Sequence, residues 1–161
     1  MPLSQFKTPR DQRYFEDYEK GAVFEYGPIE VEESQIIEFA KRFDPQTMHV
    51  DPEAAARGPF KGLIASGWHT CAMAMSLIAS EVLADSESFA SPGLAYVRWP
   101  NPVRPGDSLT LELEVLEQRV SDSRPSLGIV RWQWMMKRQG GAVVLDLEAT
   151  SMFRLGEEGR S

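Results

Sequence analysis

Sulfur and imidazole are scarce in this chain: its 161 residues include one cysteine and two histidines. A single thiol forms no internal disulfide, and Cys71 lies in an apolar, helix-like stretch, so the expectation is a buried thiol and not a nucleophile. Two histidines twenty residues apart, with no cysteine pair beside them, lack the spacing of a metal site. Positive charge is in deficit too. The 17 Lys and Arg against 24 Asp and Glu leave a net charge of −7, which argues against nucleic acid as a partner because phosphate binding needs a basic surface. No apolar run reaches the about 18 residues of a membrane helix, and the opening MPLSQFKTPRDQRYFEDYEK is too polar for a signal peptide. A soluble, cytoplasmic protein without a membrane partner is expected. No glycine-rich phosphate loop follows a strand, which disfavours a dinucleotide fold.

What the chain has is enough apolar material, 42% of its residues, to build one core. The composition divides into a polar N-terminal arm (1–20), a single domain (21–155) and a C-terminal tail (156–161). Crude alternation over 22–31 predicts a first strand. Ser34 is positioned to cap a helix running through Phe43, with Ile36, Ile37, Phe39, Ala40 and Phe43 as its apolar stripe, and Pro45 ends it. Asp51 and Pro52 then signal a second short helix. The stretch 66–85 is apolar nearly all round, with Trp68, Cys71, Ala72, Met75, Ile78, Ala79 and Val82 at helical spacing, and should be a buried helix. Met73, Met75, Leu77 and Ile78 there suit ordinary core better than an acyl tunnel.

Beyond residue 92 the period becomes two. Residues 93–99 form a predicted strand and 100–107 a turn. Leu109, Leu111, Leu113 and Val115 then share one strand face; Val130, Trp132, Trp134 and Met136 share another; Gly140 and Gly141 mark a hairpin before a last strand. This order predicts an α+β fold in which an antiparallel sheet curls around the helix at 66–85.

The stretch FDPQTMHVD places His49 five residues after Asp44, across a bend at Pro45. A carboxylate and an imidazole aimed at one point can hold and deprotonate a water. A capped turn with a surface histidine is the plainer alternative. Downstream, Ser66 and Gly67 open the apolar helix, where free N–H groups favour negative charge and glycine lets a carbonyl come close. Gly67 could equally be a packing glycine. His69 sits in the same first turn and is expected to be neutral and satisfied by a neighbour. Arg98, Arg104 and Arg131 are left without a role.

Taken together, DPQTMH, the glycine eighteen residues after its histidine, and the turn WPNPVRPGDSLTLELEV resemble the MaoC-like dehydratases, or R-specific enoyl-CoA hydratases, over roughly residues 20–155. Gln46 and Thr47 stand where that family usually has Asn and Pro. The resemblance implies a hotdog fold and a homodimer or higher assembly. It also implies reversible hydration of trans-2-enoyl-CoA to (R)-3-hydroxyacyl-CoA, with Asp44 and His49 catalytic, and Gly67 with Ser66 holding the thioester oxygen. No metal or redox cofactor is implied; the CoA thioester, or an acyl carrier protein, is the substrate handle. A hotdog thioesterase and a non-catalytic acyl-thioester-binding subunit of a heteromeric dehydratase are the rival readings.

Overall fold

The computed structural model describes residues 2–84 and 86–155. The expected tail at 156–161 and the last residue of the expected helix at 66–85 therefore lie outside the described residues. Five antiparallel strands form one sheet: β1 (Val23–Glu30), β2 (Ser88–Arg98), β3 (Ser108–Val120), β4 (Leu127–Arg138) and β5 (Val143–Arg154), in the order β1-β3-β4-β5-β2. Among the described residues four α-helices accompany them: α1 (Glu33–Phe43), α2 (Thr47–Val50), α3 (Pro52–Ala56) and α4 (Gly67–Leu77), the last continuing as a π-helical turn, Ile78–Leu83. The sheet wraps α4, the hotdog arrangement expected from the sequence.

Strict alternation along β3 and β4 sets the phase of the core. Leu113 pairs with Trp134 and Trp134 with Leu147; Val115 pairs with Trp132 and Trp132 with Ala149. These side chains fill the concave face, where Leu109, Leu111, Leu113, Val130, Trp132 and Met136 are buried. Each contributes roughly 1.5–3 kcal/mol by leaving water. Gly140 and Gly141, at φ +87° and +94°, make the two-residue turn between β4 and β5 that positive φ at both positions requires. Strand β2 begins five residues earlier than predicted. Pro92 and repeated register shifts obscure its period, both tolerable because β2 is a sheet edge.

Helix α1 starts at Glu33, with Glu32 at the cap position and no side-chain cap, so Ser34 lies inside the first turn and not before it. Val31 explains the shift. Its N–H donates to the Asp107 carbonyl and its own carbonyl accepts from Gly106, both at 2.8 Å, so the chain leaves the sheet and enters the helix at once. Ile36 and Ala40 of the predicted stripe are buried, whereas Phe43 is exposed.

Helix α4 also departs from expectation. Of the seven residues predicted to face inward, Ile78 and Val82 are buried, while Trp68 is 59% and Met75 41% exposed; Met73, Ala74, His69 and Thr70 face the core instead. A helix apolar on every side carries no periodic signal to set its rotation.

The N-terminal residues do more than their polarity suggests. Phe15 and Tyr18 are buried in the core, and Phe6 stacks on Phe24 with 4.2 Å between ring centres. Arg10 donates to the Ser80 carbonyl (3.2 Å), the buried Arg13 to those of Glu81 and Val82, and the Tyr18 hydroxyl to Val82 (2.7 Å). Those are the carbonyls that the end of a helix leaves without internal partners. Burial pushes the Tyr18 pKa up to about 12, which keeps its hydroxyl a donor.

Candidate active site

Helix α1 ends at Asp44, whose φ of −155° is no longer helical, and the chain restarts as a single helical turn, α2, at Thr47. Pro45 at the break enforces it. The bend turns both side chains inward: His49 Nε2 lies 3.4 Å from Asp44 Oδ2. The imidazole is 4% exposed. Its Nδ1 is 2.7 Å from the Ile64 carbonyl. A carbonyl only accepts, so Nδ1 carries a proton, and in the tautomer this selects Nε2 is an acceptor toward the carboxylate. At 3.4 Å the pair is wider than a good direct hydrogen bond, and a water donating one proton to each acceptor fits that disposition. The Ile64 N–H in turn bonds the Met48 carbonyl at 3.1 Å, so the α2 turn is strapped to the segment leading into α4.

Asp44 is held from both sides. Gln46 Nε2 donates to Oδ1 and Ser66 Oγ donates to Oδ2, each at 2.7 Å. These two bonds, Gln46 first, hold its carboxyl below the usual carboxylate range, outweighing partial burial. Ser66 is fully buried, and its oxygen also caps α4 by accepting from the Trp68 N–H at 3.3 Å. Its proton is thus committed to Asp44. The departure from the family motif at Gln46 has a visible consequence, since its amide orients the carboxylate.

Gly67 and His49 both border a cavity of about 220 Å³, together with Thr70, Trp99, Asn101 and Val103; Asp44 is not part of its lining. The Gly67 N–H, first in α4, has no acceptor among the described residues. A Cβ at position 67 would fall 2.4 Å from the Trp99 ring, so glycine is what lets the indole rest on the helix start. Trp99 and Asn101 were not legible as site residues; the turn WPNPV that carries them was.

His69 is buried and stacked flat on Phe39, with ring centres 4.7 Å apart. Burial lowers its pKa, as a neutral imidazole requires, but its Nδ1 has no hydrogen-bond partner among the described residues, contrary to the expected satisfied state. Cys71 is half-buried, and burial raises its thiol pKa. Arg131 pairs with Glu148 and Glu117 across the sheet, Arg98 lies over the Tyr96 ring, and Arg104 donates to the Phe60 carbonyl. Among the described residues no helix is long and apolar enough to cross a membrane.

A family model described as a MaoC like domain matches residues 17–132. The YdeM protein of Bacillus subtilis (strain 168) is 36% identical over 115 residues, covering 71% of this chain and 80% of that protein. Among solved structures, a MaoC-like dehydratase from Rhodospirillum rubrum superposes with a TM-score of 0.82 at 40% identity, covering 91% of this chain and 100% of the other. The R-hydratase PhaJ1 from Pseudomonas aeruginosa superposes with a TM-score of 0.72 at 31% identity, covering 87% of this chain and 84% of the other.

Proposed function

The chain belongs to the MaoC-like domain family, and from that premise we propose that it catalyses the reversible addition of water to a trans-2-enoyl-CoA, giving the (R)-3-hydroxyacyl-CoA. The observation that carries this reading is the facing of His49 Nε2 and Asp44 Oδ2 across 3.4 Å, each with its other atoms already engaged. Similarity to the R-hydratase supports the reaction class.

In the proposed mechanism one water donates to Oδ2 and Nε2. Its oxygen attacks C3 of the enoyl group, and the proton it loses returns to C2 on the same face through the Asp44–His49 pair. Charge that develops on the thioester oxygen meets the Gly67 N–H, aided by the positive end of α4. Ser66, expected to share in holding the thioester oxygen, gives its proton to Asp44 Oδ2 and so supports the carboxylate. The thioester stabilises carbanion character at C2, so the chemistry calls for no metal or redox cofactor. CoA, or an acyl carrier protein in its place, is the handle. Helix α4 carries no carboxylate, the group that hotdog thioesterases place on or near that helix.

A homodimer or higher assembly completes the proposal. The outward side chains of α4, Trp68 and Met75, and those of the edge strand β2, Phe89 and Leu94, supply an apolar contact surface for a second copy.

The test is hydration of crotonyl-CoA and longer enoyl-CoAs, followed by loss of the enoyl absorbance. Asp44→Asn and His49→Ala are each expected to lower kcat/KM by at least about 10²-fold. Near-wild-type rates in both variants would overturn the assignment; thiol release without loss of enoyl absorbance would identify a thioesterase.

A further inference from the structure

The wall of the site cavity is mostly apolar, and among the described residues lining it His49, Thr70 and Asn101 alone carry a side-chain acceptor. His49 Nε2 faces the reacting water in the mechanism above, and the Thr70 hydroxyl is turned to the Ser66 carbonyl at 3.5 Å. Asn101 is left, and its position is fixed. Pro100 and Pro102 on either side restrict its backbone. The Pro102 carbonyl accepts from Arg138 at 3.0 Å, and the Val103 carbonyl accepts from the Ala65 N–H at 2.9 Å, which ties the turn to the entry of α4. Asn101 Nδ2 donates to the Val143 carbonyl at 2.9 Å. A carbonyl only accepts, so this bond assigns the two ends of the amide and leaves Oδ1 as the free one. Oδ1 receives no hydrogen bond from the described residues. Earlier in the same turn the Trp99 ring rests on Gly67, so the turn lies against the start of α4, and Asn101 and Gly67 line one cavity.

We propose that Asn101 Oδ1 accepts a hydrogen bond from the cysteamine amide N–H of the substrate's pantetheine arm and so positions the thioester. The inference rests on the acyl-thioester reading above and names the part of the handle that the cavity recognises. A free acceptor calls for a donor, and the reacting end of the substrate has none: the enoyl group, the thioester carbonyl and the sulfur carry no N–H or O–H. The first donor along the handle is the amide N–H, two methylenes beyond the sulfur. CoA and the prosthetic group of an acyl carrier protein share it. Taken into an apolar cavity without an acceptor, that N–H would lose its hydration uncompensated. A donor at Gly67 for the thioester oxygen and an acceptor at Asn101 for the amide bracket the sulfur, which fixes where C3 falls relative to His49. Asn101 is thus a positioning residue for the proposed reaction.

The test compares crotonyl-CoA with an analogue in which an ester oxygen replaces the cysteamine amide N–H, on wild type and Asn101→Leu. Wild type is expected to favour the amide by about fivefold or more in kcat/KM, the worth of one ordinary hydrogen bond. In Asn101→Leu that preference should fall to within about twofold. If Asn101 served only to tether the turn to Val143, its loss would lower both substrates by one factor and leave their ratio unchanged. An unchanged ratio in a variant with a native circular dichroism spectrum, or no preference in wild type, overturns the proposal. If the leucine variant does not fold, Asn101→Ala decides by the same ratio. Crotonyl-CoA and crotonyl-acyl carrier protein share the amide, so the substitution should lower kcat/KM by the same factor on each handle that wild type turns over. Unequal losses would overturn the proposal, and the larger wild-type kcat/KM identifies the source of the handle. Should wild type hydrate neither, the hydratase reading fails, while calorimetric Kd values for butyryl-CoA and its ester analogue still decide: a preference for the amide that Asn101→Leu abolishes upholds the proposal, and equal ratios in the two proteins refute it.

Discussion

Removing one hydroxyl, in Ser66→Ala, should weaken the protein twice over. Ser66 Oγ both caps α4, accepting from Trp68 N–H at 3.3 Å, and donates to Asp44 Oδ2 at 2.7 Å. The cap bond is long, so its loss falls at the low end of the usual range, about 0.5–1 kcal/mol. The bond to a carboxylate is short and lies where Ser66 is fully buried, so no water replaces the lost donor and about 1.5–2 kcal/mol goes with it. Urea unfolding at pH 7 should therefore show a loss of about 2–3 kcal/mol. The effect also has a pH signature. Asp44 has a folded-state pKa below its ordinary value, so it contributes stability that is present above the ordinary carboxylate pKa and is lost as pH falls through the depressed one. Without Ser66 the folded pKa moves back up, and the difference between wild type and variant should shrink as the medium is acidified through the carboxylate range. The cycle with Asp44→Asn isolates the bond: the two substitutions should be non-additive by about 1 kcal/mol or more. Strict additivity, or a loss below about 0.5 kcal/mol at pH 7, would refute the claim that Ser66 holds the carboxylate.

A second titration concerns His69. Burial depresses its folded-state pKa below 6.5, so as pH drops below that value the unfolded chain takes up a proton that the folded chain does not, and stability falls. His69→Phe should flatten this acid slope in urea midpoints measured from pH 7.5 to 5.5; parallel profiles would show that the ring does not titrate as a buried base. Gly128→Ala probes the N-terminal segment, because a Cβ there would lie 2.4 Å from the ring of the buried Phe15. Overpacking of this kind should cost about 1–3 kcal/mol and leave residues 13–20 open to limited proteolysis. An unchanged midpoint with that segment still protected would contradict the packing.

Local pattern carried into the fold where the residues alternated cleanly. Leu109 to Val115 and Val130 to Met136 set both the strands and the face they bury, and the Gly140–Gly141 pair marked its own turn. Rotation of α4 was illegible because apolar residues occupy every side of it, and Trp68 and Met75 turned outward as a result. At the candidate site, the resemblance of DPQTMH to the family motif singled out Asp44 and His49, which the fold brings within 3.4 Å, but the partner that fixes the imidazole is the Ile64 carbonyl, fifteen residues on, and a main-chain atom has no side-chain signature. Gln46 read as a departure from a motif when its amide in fact grips Oδ1. Trp99 depended on a turn meeting a helix start 32 positions earlier in the chain, a long-range encounter that periodicity does not encode.

The clasp of Arg10, Arg13 and Tyr18 on the carbonyls of Ser80 to Val82 joins groups 64 to 70 positions apart. During synthesis the leading segment emerges first and its docking surface follows only after roughly 3–14 s of elongation. Phe15 and Tyr18 spend that interval uncovered, and the strand they finally rest against, β4, comes later still. Closure of this loop is therefore a late event in maturation, and a nascent chain stalled before residue 80 holds a greasy leader with nowhere to settle, a natural target for chaperone capture.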